Sequence, residues 1–261
     1  MSGYSLRGLH WFNALSAGAS VVEGLPPSLK VADAELGRFI AVVADPDNRF
    51  PRARNGEVGL LEGWGLAKAV NDAISADRDS AQKRPIIAIV DVPSQAYGRR
   101  EEALGIHQAL AGAADSYARA RLAGHPVIAM LVGKAMSGAF LAHGYQANRL
   151  IALRDPGVMV HAMGKASAAR VTLRSVEELE ALASSVPPMA YDIDSYASLG
   201  LLWETLSVQQ IEQPTEEDLT RVTECLNQAI SDVTSTDLKG RLGASNRAAS
   251  SKVRELLRAQ W

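Results

Sequence analysis

Cysteine is almost missing from this chain: Cys225 stands alone among 261 residues. One thiol closes no intrachain disulfide and supplies no thiolate zinc cluster. The lack of disulfides fits a reducing compartment, so a cytoplasmic location is the expectation. Aromatic residues are sparse at 5%, which leaves little material for a base-stacking surface. Neither sign of charge dominates. Lys and Arg number 27 against 29 Asp and Glu, a formal charge of -2, so nothing calls for nucleic acid or an anionic membrane as partner. No run approaches the length of a membrane span, and the first residues lack the continuous apolar segment of a signal peptide. His10, His107 and His125 are scattered without the spacing of ligands, so no metal site is expected.

What is present is a large apolar fraction, 47%, beside 21% charged residues. A chain of this size builds one large domain or two small ones around a sizeable core. Leu9, Trp11, Phe12 and Leu15 suggest a short amphipathic helix, and 30–33 a short strand or turn. Phe39–Ala44 reads as a buried strand, and 59–74 as a helix with apolar residues at helical spacing. Pro85–Val92 is a near-continuous apolar run suited to a sheet covered on both faces. A helix follows from Leu104 to about Leu122, and another strand from Val127 to Val132. Strand and helix therefore alternate three times, which predicts βαβ crossovers and largely parallel strands.

The stretch VIAMLVGKAMSGAFLAHGYQANRLIAL, 127–153, carries the clearest chemical signal. After its strand comes a small-residue turn, Gly133–Ala139, then a helix-like segment from Phe140 to Asn148 and a second strand from Leu150 to Leu153. A turn feeding a helix N-terminus presents spare backbone N–H groups at the positive end of the helix dipole. Such groups hold an anion, or an oxygen that becomes negative during reaction. A further apolar strand from Gly157 ends in a similar turn at Ala166 and leads to a helix over 167–173. Ser175 with Glu178 is a capping box, 191–202 is helical or irregular, and a helix runs from Pro214 to about Val233. The segment 251–258 is helical. Arg49, Arg52 and Arg54, in a turn-rich loop, either face a phosphate or carboxylate or pair with Glu57 and Glu62.

Three ordered blocks, PIIAIVDVPSQAYGRREEALGIHQAL, VIAMLVGKAMSGAFLAHGYQANRLIAL and VMVHAMGKASAARV, resemble the carboxyltransferase branch of the crotonase superfamily. They are similar to the alpha subunit of bacterial acetyl-CoA carboxylase carboxyltransferase. DPDNRFPRARNGEVGLLEGW and RGLHWF narrow the resemblance to the gamma subunit of biotin-independent malonate decarboxylase. The match covers most of 39–211. It implies an α/β, crotonase-like (ββα-superhelix) carboxyltransferase domain of parallel strands and crossover helices, spanning 1–261 as a single domain with a helical region at about 212–261. The chain departs from the carboxylase pattern in two places. Met136-Ser137-Gly138-Ala139 replaces consecutive glycines, and Ser94-Gln95-Ala96 replaces Gly-Ala after Asp-x-Pro. The added side chains narrow the pocket that takes biotin in those relatives.

The resemblance implies a cleft in which two backbone N–H groups hold a thioester oxygen as it becomes an enolate. One is Gly138, with Ala139 beside it; the other comes from Ser94 or Gln95. Tyr97, His161, Gly164 and Lys165 are implied as substrate contacts. Ser137 lacks the G-x-S-x-G elbow of a nucleophile, and His143 is either a core histidine or an acid/base. No cofactor is implied on this chain; a carrier subunit supplies the malonyl thioester on a CoA-like prosthetic arm. A beta subunit of the same fold closes the active site, so the chain alone is expected to be inactive. Two alternatives stay open. A stand-alone crotonase hydratase or isomerase would place a carboxylate near the cleft, and Phe140–His143 offers none. A non-catalytic scaffold subunit would tolerate bulky changes in the Ser94–Ala96 loop and at Ala139.

Overall fold

The structure, a computed structural model, describes residues 3–242 and 244–261. Helix α1 (Arg7–Leu15) opens the chain, followed by strands β1 (Ser20–Val21), β2 (Leu29–Ala34) and β3 (Gly37–Val42). Then come α2 (Leu60–Ala76), β4 (Ile86–Val92), α3 (Arg99–Ala103), α4 (Ile106–Leu122), β5 (Val127–Met136), α5 (Ser137–Ala142), β6 (Arg149–Leu153) and β7 (Met159–His161). The remainder is α6 (Lys165–Thr172), α7 (Val176–Ala183), α8 (Ile193–Ser198), β8 (Glu204–Leu206), α9 (Glu216–Ser231) and α10 (Ala248–Gln260).

Among the described residues these strands form one sheet in the order β1-β2-β3-β4-β5-β6-β8, with β7 added beside β5. From β3 onward every pairing is parallel; β1, β2 and β3 are antiparallel. The parallel core is where the sequence expects it. Every residue of β3 and β4 is buried, as strands covered on both faces require. Two helix pairs supply the cover. One is α2 with α4, which approach so closely that a methyl group at Gly63 would lie 2.8 Å from the Ala109 carbonyl oxygen. The other is α1 with α9. Trp11 of α1 is wholly buried and donates its Nε1–H to the Ile211 carbonyl at 2.8 Å.

The structure makes 30–33 part of a strand, β2, and adds two strands, β1 and β8, that the sequence pattern conceals. The antiparallel hairpin of β2 and β3 turns at Gly37, whose φ of 145° suits glycine alone. Strand β1 has both residues exposed, and β8 is a three-residue edge; neither buries enough side chain to leave a periodic signal.

Strand β5 differs most from expectation. It does not stop at Val132 but continues through the expected turn to Met136. Its first half pairs with β6, from Ile128↔Arg149 to Leu131↔Ala152. Its second half pairs with β7, from Lys134↔Met159 to Met136↔His161. Against β4 the register jumps between Val90↔Leu131 and Val92↔Ala135, so β5 bulges at Gly133. Asp91, opposite the bulge and 7% exposed, accepts hydrogen bonds from Gly8 N–H and Lys134 N–H, each 3.1 Å. Helix α5 is also shorter than expected, because Gly144 takes φ 105° and packs where a methyl would sit 2.9 Å from Val90 Cγ2.

The capping box of α7 is present, with Ser175 Oγ accepting from Glu178 N–H (3.1 Å) and Glu178 accepting from Ser175 N–H (2.8 Å). Helix α10 has no buried residue. Among the described residues no helix is long and apolar enough to cross a membrane.

Candidate active site

The reversal between β5 and α5 contains no loop residue. Met136 ends the strand and Ser137 begins the helix. Ser137 makes this possible by adopting φ 57°, a conformation that costs a non-glycine residue about 1–3 kcal/mol. Its Oγ–H donates to the Ala162 carbonyl at 2.8 Å, tying the reversal to the segment after β7. The strain is held by the strand on one side and by this bond on the other.

The amides of Gly138 and Ala139 fall in the first turn of α5, where helical N–H groups have no partner within the helix. Packing does not demand glycine at 138. The nearest atoms a methyl there would meet are Gln95 Oε1 at 3.4 Å, Gln95 Cδ at 3.5 Å and Leu110 Cδ1 at 3.5 Å, ordinary contacts. A close approach of helix and strand therefore does not explain this glycine. Ala139 is different: its side chain is wholly buried, so a bulky residue there would test the core rather than a scaffold role.

The loop after β4 faces this turn. Gln95 forms a parallel bridge with Val58: Val58 N–H donates to Ser94 O (3.1 Å) and Ala96 N–H donates to Val58 O (2.9 Å). Ser94 Oγ–H donates to Gln95 O at 2.9 Å. The Gln95 backbone is thus fixed, and its side chain reaches across so that Oε1 accepts from Gly138 N–H at 2.9 Å.

A cavity of about 340 Å³ opens beside the reversal, lined by Ser137, Gly138, Leu141, Tyr145, His161 and Pro188 among others. Among the described residues none of its lining groups is a carboxylate. His161 enters it because β7 pairs with the end of β5 in register Met136↔His161. The imidazole stacks on Tyr191 with centroids 3.9 Å apart and planes 13° apart. Its Nδ1 lies 2.9 Å from the Met163 carbonyl, which also accepts from Tyr191 Oη–H at 2.9 Å. Burial lowers the His161 pKa, which favours the neutral ring. Nothing in the sequence marked Tyr191 as the support beneath His161.

The other expected contacts are more dispersed. Gly164 caps α6 and has open space around it. Lys165 pairs with Glu180 at 2.6 Å and lies 5.5 Å over the Tyr191 ring, on an adjoining cavity of about 350 Å³. Tyr97 is 55% exposed and does not line the Gly138 cavity. His143 is a core residue: it donates Nε2–H to Ile89 O at 2.9 Å, and Nδ1 faces Tyr117 Oη at 3.0 Å. Burial holds its pKa down at about 4.

The loop arginines do not pair with Glu57 or Glu62; Arg52 Nε instead lies 3.9 Å from the Glu101 carboxylate. Glu62 is buried and accepts from Ser28 Oγ–H (2.5 Å), Asn48 Nδ2–H (2.8 Å) and Gly59 N–H (2.9 Å). Glu57 accepts from Asn55 N–H at 2.9 Å. Arg54 donates to Asn48 O at 3.1 Å, and Arg49 and Arg100 lie over the Phe50 ring at 5.7 and 5.2 Å. Among the described residues no group of three His, Cys, Asp or Glu side chains is placed to hold a metal ion.

A parallel sheet whose strand β5 runs directly into a helix, with the helix's first amides facing the loop after the neighbouring strand, defines a crotonase-like carboxyltransferase fold. The transcarboxylase 12S core shares it at TM-score 0.63 and 19% identity, over 88% of this chain and 42% of that one. Residues 53–261 match the family model described as malonate decarboxylase gamma subunit, and the chain belongs to that family. It is similar, at 72% identity and TM-score 0.94 over 98% of this chain and 99% of the other, to a chain of a Pseudomonas malonate decarboxylase hetero-tetramer solved in complex with coenzyme A. It is also 37% identical over 182 residues to the malonyl-S-ACP:biotin-protein carboxyltransferase of Malonomonas rubra; the aligned part is 67% of this chain and 62% of that relative's length.

Proposed function

We propose that this chain is the gamma half of a malonyl-thioester decarboxylase, working with a beta subunit of the same fold and with an acyl-carrier subunit that presents the substrate on a CoA-like arm. The observation that carries the proposal is the Gly138 amide, in the first turn of α5, beside a cavity whose described lining contains no carboxylate. Decarboxylation needs that combination. The bond between the methylene carbon and the carboxylate breaks, carbon dioxide leaves, and the electron pair moves onto the thioester oxygen as an enolate. One preorganised donor at that oxygen is worth about 3–4 kcal/mol. Protonation of the carbon then yields the acetyl thioester. Hydration of an enoyl thioester would instead need a carboxylate to handle water, and the cavity offers none.

In this reading Gly138 and Ala139 supply the helix amides, and the Ser94–Gln95 loop supplies the second donor. His161, on its Tyr191 support, contacts the substrate from the third side. Tyr97, Gly164 and Lys165 lie outward and meet the carrier arm or the partner subunit. The similarity to the hetero-tetramer chain and to the malonyl-S-ACP enzyme supports both the partner and the substrate.

The test is Gly138→Pro in the complex co-expressed with its beta partner. Proline removes the N–H and is tolerated in the first turn of a helix. Carbon dioxide release from malonyl-CoA should fall about 10²–10³-fold while the subunits still co-purify. Unchanged turnover in the assembled variant would remove Gly138 from the mechanism and favour a scaffold role.

A further inference from the structure

The amide that the proposed chemistry needs is already occupied: Gly138 N–H donates to Gln95 Oε1 at 2.9 Å. A carboxamide oxygen and a thioester carbonyl oxygen are alike to an N–H donor, since both are sp² acceptors that the hydrogen approaches near the carbonyl plane. We propose that Gln95 is a resident competitor for the Gly138 amide, a side chain that keeps the donor satisfied at rest and that the substrate oxygen must displace.

Three features support displacement rather than a permanent bond. The Gln95 backbone is fixed on both sides by the Val58 bridge, so the side chain can swing while the loop stays in place. Gln95 and Gly138 are both half-buried, so a displaced carboxamide reaches water and loses little. Gly138 itself lines the cavity beside the reversal, and the nearest atoms to where its Cβ would stand, from Gln95 and Leu110, keep an ordinary 3.4–3.5 Å. The arrangement also answers a physical demand. An N–H held in a partly dry cleft without a partner costs free energy, and Gln95 removes that cost until a ligand arrives.

This inference rests on the decarboxylase reading for its substrate, but not for its geometry, so two measurements separate the two. The first needs no turnover. Hydrogen exchange of the peptide covering residues 137–142 is compared between the wild-type complex and Gln95→Ala, in the absence of substrate. Loss of protection at the Gly138 amide in the variant supports the competitor, and equal protection overturns it. The second is kinetic, with malonyl-CoA and the co-purified subunits. Removing a competing hydrogen bond should lower KM about two- to tenfold and raise kcat/KM. Gln95→Glu, which keeps a stronger acceptor at the same reach, should raise KM. A Gln95→Ala variant that folds and assembles but has a raised KM would show that Gln95 holds the substrate rather than competing with it, and would overturn the proposal. Absence of carbon dioxide release from the wild-type complex would sink the decarboxylase reading and leave the exchange result standing on its own.

Discussion

Two side-chain oxygens reach from the end of β4 to backbone amides of the β5–α5 unit, and they do so with the same spacing in the chain. Asp91 takes Lys134 N–H at 3.1 Å, and Gln95 takes Gly138 N–H at 2.9 Å. The first contact is a lock. Asp91 is 7% exposed and holds a second amide, that of Gly8, and a methyl group on neighbouring Gly133 would overlap its Oδ1. The second contact is loose. Gln95 is neutral and half-buried, takes a single amide of the reversal, and leaves room for a methyl at Gly138. The same local geometry is structural where charge and burial make exchange with water costly, and replaceable where they do not.

His143, just past the end of α5, is a support that ties this helix to β4 through Ile89 O. Its pKa is held at about 4, against an ordinary value of 6.5. As pH falls below 6.5 the unfolded chain takes up the proton first, so stability is lost between pH 6.5 and 4 and no further below that. The loss should be about 3 kcal/mol, read as the difference in urea stability across that range between wild type and His143→Gln. A wild-type profile parallel to the variant's would remove His143 as a support.

A somewhat smaller effect separates the two contacts themselves. Gly133→Ala should cost about 2–3 kcal/mol, because the new methyl overlaps a buried carboxylate that two backbone amides hold in place. The smallest effect belongs to Gly138→Ala, whose stability should stay within about 1 kcal/mol of wild type, since the contacts are ordinary and alanine favours a helix. Equal denaturation midpoints for the two variants would erase the distinction between lock and loose contact.

The parallel core was legible because Phe39–Val42, Ile86–Val90 and Val127–Val132 are buried on both faces and therefore read as continuous apolar runs. Trp11 and Phe12 behaved as the amphipathic pattern implied, packing into the core. The edge strands were not legible, since Ser20–Val21 and Glu204–Leu206 are too short and exposed to imprint a period. The placement of the Gly138 amide in the first turn of a helix was legible from a small-residue segment after an apolar strand. The extent of β5 was not, because Gly133 resembles a turn former yet is glycine to make room for Asp91. The Gln95 contact is a choice of side-chain rotamer across 43 residues, and no local pattern encodes it. Lys165 shows the converse: a cation next to the expected turn finds its partner in Glu180, one helix away.

A reversal with no loop residues also constrains how this site can diversify. With Met136 in the strand and Ser137 already in the helix, the amide's position follows from the register of β5, and no connecting segment exists to be lengthened or shortened. One inserted residue would turn every following side chain of the strand to the opposite face and carry Gly138 away from the cavity. Lineages that inherit this corner can therefore change what the amide meets only by exchanging the side chains around it, and position 95 is the nearest one available.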